Sequence, residues 1–417
     1  MAQRVIRGKI LDKDGNALAY TEVAPDGTQT RVYPHNDLYA HVLGYDSNGK
    51  AGLESVENFR LLTSNAFFVD RIINEFRDEK NIGDNVVTTL DPVLQSAAYH
   101  ALGNQKGAVI VMEANTGKIL ALVSKSAFNP NTIVADWETL QSDENATLLN
   151  RAMQGAYPPG STFKIVTTLE YMRENPNYAA FTFDCEGAVT YDGVTIHCFD
   201  NKAHGHQDLN TAFANSCNSA FVSMGLELNM NQYVDTARQL LFDKELPEIM
   251  PCRTSRFMLT ESSESAEIMM TAMGQGQTSM SPYHMALITS AIANGGILME
   301  PYMVSQIVST DGAVISEKSP KKYADLMTSA EAAQLKAYMT SVVTMGTGTP
   351  LNGGNYTAAG KTGTAEYSSD KTRSHSWFTG FSNVDNPELV ISVVIEGADN
   401  SGARSISVVK EVFNAYY

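Results

Sequence analysis

No stretch of this 417-residue chain stays apolar for the roughly 20 residues a helix needs to cross a bilayer, and the N-terminus shows no secretory leader. Positive charge is scarce. Against 46 Asp and Glu stand 30 Lys and Arg, giving a net charge of -16 and a pI near 4.9. Phosphate backbones are bound by clustered lysine and arginine, so this balance argues against nucleic acid as a partner. Cysteine is sparse too: four residues are few for a disulfide scaffold. There is no internal repeat and no low-complexity tract. The glycine-rich stretch at 345–355 lacks the Gly-x-x-x-x-Gly-Lys-Ser/Thr spacing of a phosphate cradle. What is present, 43% apolar and 18% charged residues, is the composition of a globular protein with core enough for two or three domains.

The chain is organised around Tyr157-Pro-Pro-Gly-Ser-Thr-Phe-Lys-Ile-Val-Thr-Thr-Leu-Glu-Tyr171. Pro158, Pro159 and Gly160 break what precedes, and Phe163, Val166, Leu169 and Met172 then recur at helical spacing. Ser161 is thereby set at a helix start, where free N–H groups favour an anion. Lys164, three residues on, shares a face with the serine hydroxyl. Burial of that face lowers a lysine pKa, and a neutral amine can take the hydroxyl proton. Alone, a Ser-x-x-Lys on a helix is usually solvated surface. Two companions change its weight. Ser216-Cys217-Asn218 follows a short helical run containing Leu209, Ala212 and Phe213, which puts a hydroxyl and an amide at a turn. Lys361-Thr-Gly-Thr364 leads into Ala365-Glu-Tyr367, read as strand.

The rest of the pattern mixes both periods. Residues 4–20 alternate around an Asp14-Gly15 turn, a hairpin signal. A helix is expected over 55–79, with Phe59, Leu62, Phe67, Ile72 and Ile73 near one face. Val86-Val-Thr-Thr-Leu-Asp-Pro92 reads as a strand ending at a helix start. The apolar runs 107–113 and 118–124 form a hairpin over Asn115-Thr-Gly117, belonging to a sheet covered on both sides. Helices are expected at 220–228, 234–242, 281–293, 329–343 and 405–416, strands at 302–309, 314–317, 376–381 and 389–396, and irregular chain over 243–266. His35 and His41 read as structural residues. Cys185 and Cys198 flank a hairpin turning at Asp192-Gly193. Three fates are open for them: free thiols, a disulfide, or zinc ligands with His197, His204 and His206.

Ser-x-x-Lys, Ser-x-Asn and Lys-Thr-Gly in this order resemble the signature of penicillin-binding proteins, with Cys217 where the related β-lactamase motif has Asp. Phrases from Arg4 to Glu396, including Gly274-Gln-Gly276, are similar to a compact class B penicillin-binding protein. The resemblance implies an α+β transpeptidase fold: an antiparallel sheet with helices on both faces, a helical lobe, and a small N-terminal pedestal. The expected domains are 1–88 and 89–417. Gly274-Gln-Gly276 and the helix after it would buttress the helix behind Ser161.

The same resemblance implies acyl transfer on D-Ala-D-Ala stem peptides and inhibition by β-lactams. Ser161 would be the nucleophile and Lys164 its base. Ser216, with Lys361, would relay the proton to the departing nitrogen. Asn218 would bind the substrate amide, and Thr362, Gly363 and Thr364 would hold its carboxylate end, with an oxyanion hole from the N–H groups of Ser161 and Thr364. No step calls for a metal or organic cofactor. A membrane anchor is expected ahead of Met1, placing the chain outside the cytoplasm beside a glycosyltransferase, in septal or lateral wall synthesis. A D,D-carboxypeptidase or β-lactamase is the alternative, although neither Glu170 nor Glu186 has the context of a deacylating glutamate. A non-catalytic β-lactam sensor is another.

Overall fold

The computed structural model describes residues 5–65, 80–367, 373–398 and 403–417. At its centre lies a five-stranded antiparallel sheet in the order Ala358–Glu366, Ser374–Ser382, Leu389–Ala398, Gly107–Glu113, Ile119–Lys125. The last two strands make the expected hairpin, with Gly117 in the left-handed conformation at φ 83°. Their uniform apolarity follows from cover on both faces. Val109 and Val111 pack with the helices Pro92–Leu102 and Ala403–Tyr416, while Ile110 and Met112 face the other core. That second face carries the helix Pro282–Ala293, buried at every residue. Asp91 starts the Pro92 helix by accepting from the N–H groups of Val93 and Leu94 at 2.8 and 3.1 Å, a cap worth about 1 kcal/mol.

Beside the sheet stands a helical lobe made of Lys164–Glu174, Leu209–Ala214, Asn218–Glu227, Met230–Gln239 and Ser265–Ala272. The last of these is not foreshadowed in the sequence, since it is short and begins at the end of a polar run. Thr328 and Glu331 close a reciprocal capping box on the helix Ser329–Met345.

The N-terminal region forms a six-stranded sheet. Its order is Val314–Glu317, Val304–Val308, Asn85–Thr88, Ile10–Leu11, Ala17–Val23, Gln29–Val32. The Asp14-Gly15 hairpin is there as read. Two of the six strands, however, come from the hairpin over Asp311-Gly312, and Val304–Val308 pairs with Asn85–Thr88. The sheet thus draws on chain from both sides of residue 88. In place of one helix over 55–79, the described residues show two short ones, Gly52–Val56 and Asn58–Leu61. Glu57, at φ −98° and ψ 15°, separates them and resets the phase. Leu61 enters the core and Phe59 is left 69% exposed. Phe67, Ile72 and Ile73 lie outside the described residues.

Candidate active site

Pro158 and Pro159 end the approach to the site. Gly160, at φ 55°, then turns the chain into the 3-10 segment Gly160–Phe163, which runs on into the helix Lys164–Glu174. A Cβ on residue 160 would lie 2.6 Å from the Thr364 carbonyl oxygen, so glycine permits the serine turn to touch the edge strand. Three hydrogen bonds fix that contact. The Gly160 N–H donates to Gly274 O at 2.8 Å, Trp377 Nε1 donates to Pro158 O at 3.0 Å, and Gln275 Nε2 donates to Thr364 O at 3.3 Å. The Gly274-Gln275-Gly276 turn therefore braces the serine turn, and the apolar helix after it lies against the central sheet.

The chain is buried from Thr162 to Met172, including Phe163, Val166, Leu169 and Met172 at the spacing read from the sequence. Its polar groups are met inside: Thr167 Oγ1 donates to Ala272 O at 2.8 Å and shares a hydrogen bond with Tyr233 at 2.7 Å. Lys164 is 0% exposed. Its Nζ donates to Ser216 O at 2.7 Å, Ser216 Oγ at 3.2 Å and Asn218 Oδ1 at 2.7 Å. Lys361 is also 0% exposed, and its Nζ donates to the same Ser216 Oγ at 2.9 Å and to Thr362 O at 3.3 Å. Among the described residues no carboxylate forms an ion pair with either amine. Loss of water pushes Lys164 down to about 8. The same desolvation, then the nearby Lys164 charge, holds Lys361 well below its ordinary value.

Ser216 owes its place to an unusual backbone. At φ 57° it is left-handed, a strained state for a residue with a side chain, and the Cys217 N–H returns to Ala212 O at 2.9 Å. Asn218 opens the next helix and donates from Nδ2 to His197 O at 3.0 Å. On the edge strand, Lys361 and Gly363 are buried while Thr362 and Thr364 are half-buried, the alternation of a pleat. A Cβ on Gly363 would come within 3.0 Å of Trp377 Cβ and 3.1 Å of Pro159 O, so this position serves close packing. Thr362 Oγ1 lies 2.6 Å from Thr347 Oγ1.

One cleft of about 670 Å³ is lined by Ser161, Ser216, Asn218, Thr362, Gly363 and Thr364, six of the eight residues singled out in sequence. The other two, Lys164 and Lys361, are tied to it through Ser216. Gln275, Thr347 and the 197–201 segment also line it and are not foreseen as site residues. Nothing in Met345-Gly-Thr-Gly-Thr349 marks which threonine faces the cleft. Beside Asn218, the ligating atoms of Cys185, Cys198, His204 and Cys217 gather within 4.8 Å of one another. His206 is not among them, since it pairs with Asp184 at 2.8 Å, and His197 offers the site its carbonyl. His41 is buried against Thr147 O at 2.8 Å and is structural.

Residues 107–417 match the penicillin binding protein transpeptidase domain, and residues 7–86 match the penicillin binding protein A dimerisation domain. The chain is 33% identical to the peptidoglycan D,D-transpeptidase PbpA of Mycolicibacterium smegmatis, over 95% of this chain and 85% of that protein. The imipenem acyl-enzyme of penicillin-binding protein A from M. tuberculosis has the same fold, with a TM-score of 0.91 and 29% identity, over 99% of this chain and 98% of that one. The D,D-transpeptidase domain of a peptidoglycan glycosyltransferase from Eggerthella lenta gives a TM-score of 0.89 at 29% identity, over 99% and 98% of the two chains. The chain belongs to the penicillin-binding protein transpeptidase family.

Proposed function

We propose that this chain is a serine D,D-transpeptidase that cross-links peptidoglycan stem peptides and is acylated by β-lactams. One observation carries the reading: two buried amines, with no counter-ion among the described residues, converge on one hydroxyl, Ser216 Oγ, in the cleft that holds Ser161. Ser161 Oγ attacks the carbonyl of the penultimate D-alanine. Neutral Lys164 takes its proton, and a C–O bond forms as the C–N bond breaks. The proton passes through Ser216 to the departing D-alanine nitrogen. The N–H groups of Ser161 and Thr364 hold the developing oxyanion, each worth about 3 kcal/mol. Thr362 and Thr364, with the Lys361 charge, bind the terminal carboxylate, and Asn218 binds the substrate amide. Ala358–Glu366 is the outer strand of its sheet and accepts the extended stem peptide by strand addition. An acceptor amine then displaces Ser161 from the ester.

In a β-lactam the leaving nitrogen stays tethered after the ring opens, so it blocks the acceptor amine and the ester persists. Hydrolysis needs a base for water. Glu170 is instead bonded to Thr236 Oγ1 and Glu186 is exposed, which favours transfer over hydrolysis. Residues 1–88 serve as the pedestal and 89–417 as the catalytic domain, with the 304–317 hairpin clamping one to the other. The substrate lies outside the cytoplasmic membrane, next to a glycosyltransferase that supplies glycan strands. No helix among the described residues is long and apolar enough to cross a membrane.

Intact mass after incubation with benzylpenicillin tests the reading. A stable adduct on Ser161 that vanishes in Ser161→Ala is expected. Consumption of the drug by unmodified protein would make the chain a hydrolase, and no adduct with no consumption would make it a non-catalytic scaffold.

A further inference from the structure

Of the four cysteines, three meet at one point beside the cleft, and no step of the acyl transfer uses them. Cys185 Sγ and Cys198 Sγ are 3.6 Å apart, Cys198 Sγ and Cys217 Sγ 3.8 Å, and Cys185 Sγ and His204 Nδ1 3.5 Å. A tetrahedral zinc ion, with sulfur at about 2.3 Å and nitrogen at about 2.0 Å, sets its sulfurs about 3.8 Å apart and a sulfur about 3.5 Å from the nitrogen. These three edges match that tetrahedron, and the other three pairs lie within 4.8 Å. Three thiolates and an imidazole select zinc over the hard cations, which take oxygen ligands. The cysteines are buried, at 2%, 3% and 0% exposure, so four protein ligands would close the site, as in structural zinc centres. We propose that Cys185, Cys198, His204 and Cys217 bind one zinc ion, and that this ion holds the second active-site motif in place.

The placement argues the second half. Cys217 stands between Ser216 and Asn218. It occupies the N-cap position of the helix Asn218–Glu227 without capping it, since its side chain turns to Cys198 instead. Cys198 follows His197, whose carbonyl takes the Asn218 amide. Ser219 Oγ lies 3.3 Å from Cys198 Sγ, and Gln207 Nε2 donates to His204 O at 2.8 Å, contacts that support two of the ligands from outside. Cys185 and His204 bring in the strands Thr182–Cys185 and Gly205–Asp208, which pair with each other. One ion would therefore tie this exposed, polar flap to the strained turn at Ser216. A disulfide between Cys185 and Cys198 would use two of the four groups and leave His204 and Cys217 aimed at an oxidised pair.

Metal analysis of the chain, purified without added metal, is expected to give about one zinc per molecule, and much less for Cys185→Ala and His204→Ala. Cobalt added to stripped protein should give the thiolate charge-transfer and visible bands of a tetrahedral site. Alkylation after denaturation in chelator should label all four cysteines. Removing zinc should slow acylation of Ser161 by benzylpenicillin roughly tenfold, with recovery on adding zinc and none with magnesium. The last readout rests on the proposed function, whereas metal content and cobalt spectra do not, so the two fail separately. Metal-free protein with two cysteines locked in a disulfide, or metal-free protein with four free thiols that does not take up cobalt, overturns the site. Full zinc with unchanged acylation after its removal overturns the positioning role.

Discussion

Glu54 and Lys164 are both 0% exposed, yet among the described residues Glu54 is met by two guanidinium groups and Lys164 by no opposite charge. In the pedestal, Arg7 Nε lies 2.5 Å and Arg31 Nε 2.7 Å from the two Glu54 oxygens. Arg7 also donates to Glu54 O and Asn58 Oδ1, Arg31 donates to Gly8 O, and Tyr33 adds its hydroxyl at 3.3 Å. Both oxygens of the carboxylate there are met by opposite charge and hydrogen bonds. In the cleft two amines face one hydroxyl, and each stays buried only by becoming easy to deprotonate. Paired burial locks a structure, and unpaired burial stores reactivity.

Exchanging the two behaviours by mutation is the strongest way to break that contrast. Lys164→Met removes the base and keeps the volume. Acylation by benzylpenicillin is expected to fall about 10³-fold, with thermal stability held or raised because an uncompensated amine is gone. Glu54→Gln should do the reverse. It leaves two buried guanidinium groups without their anion, for a loss of about 3–5 kcal/mol in urea unfolding. Acylation per folded molecule should not change. A Lys164 variant that unfolds yet still acylates, or a Glu54 variant that is stable but inert, would erase the distinction.

The parts of this contrast differ in how far sequence reveals them. Ser161 and Lys164 are legible because a helix sets their relation within four residues, and the Pro-Pro-Gly break marks its start. Convergence of Lys361 on Ser216 leaves no local pattern, since 145 residues separate them, and it is legible only through the family resemblance. Arg7 and Glu54 gave no signal, being 47 residues apart in a region of irregular periodicity. The hairpin at 304–317 is readable as a hairpin, but not as part of the pedestal sheet, because strand pairing at that distance leaves no local pattern. Phe59 shows the converse: helical spacing was present, and a break at Glu57 turned it outward. Cys217 was hidden inside a motif whose other members explain its neighbourhood.

A pH profile sharpens the contrast on its reactive side. The active base is neutral Lys164, whose value is lowered by desolvation to about 8. The neutral fraction grows as pH rises, so the acylation rate constant should climb about tenfold per pH unit well below 8 and level off above it. Rates that are flat from pH 6 to 9 would assign the proton to another group.

Glu170 provides the smallest test and the most discriminating one. It is a buried anion on the same helix as Lys164, 1% exposed, with no catalytic task. Desolvation, then the neighbouring Glu174 carboxyl, pushes it up to about 7, against the opposing pull of Thr236 and Arg173. The folded chain therefore keeps this proton between about 4.5 and 7, where the unfolded chain releases it. Stability attributable to this group falls as pH rises through that window and stays low above it. Glu170→Gln should raise the melting temperature by a degree or two at pH 8 and leave it nearly unchanged at pH 5. Acylation should be the same as in the parent at both. An equal shift at the two pH values would trace the effect to packing. A fall in acylation would mean that unpaired burial anywhere along this helix feeds the site, and that the reactivity of Lys164 is a property of the whole helix and not of its contact with Ser216.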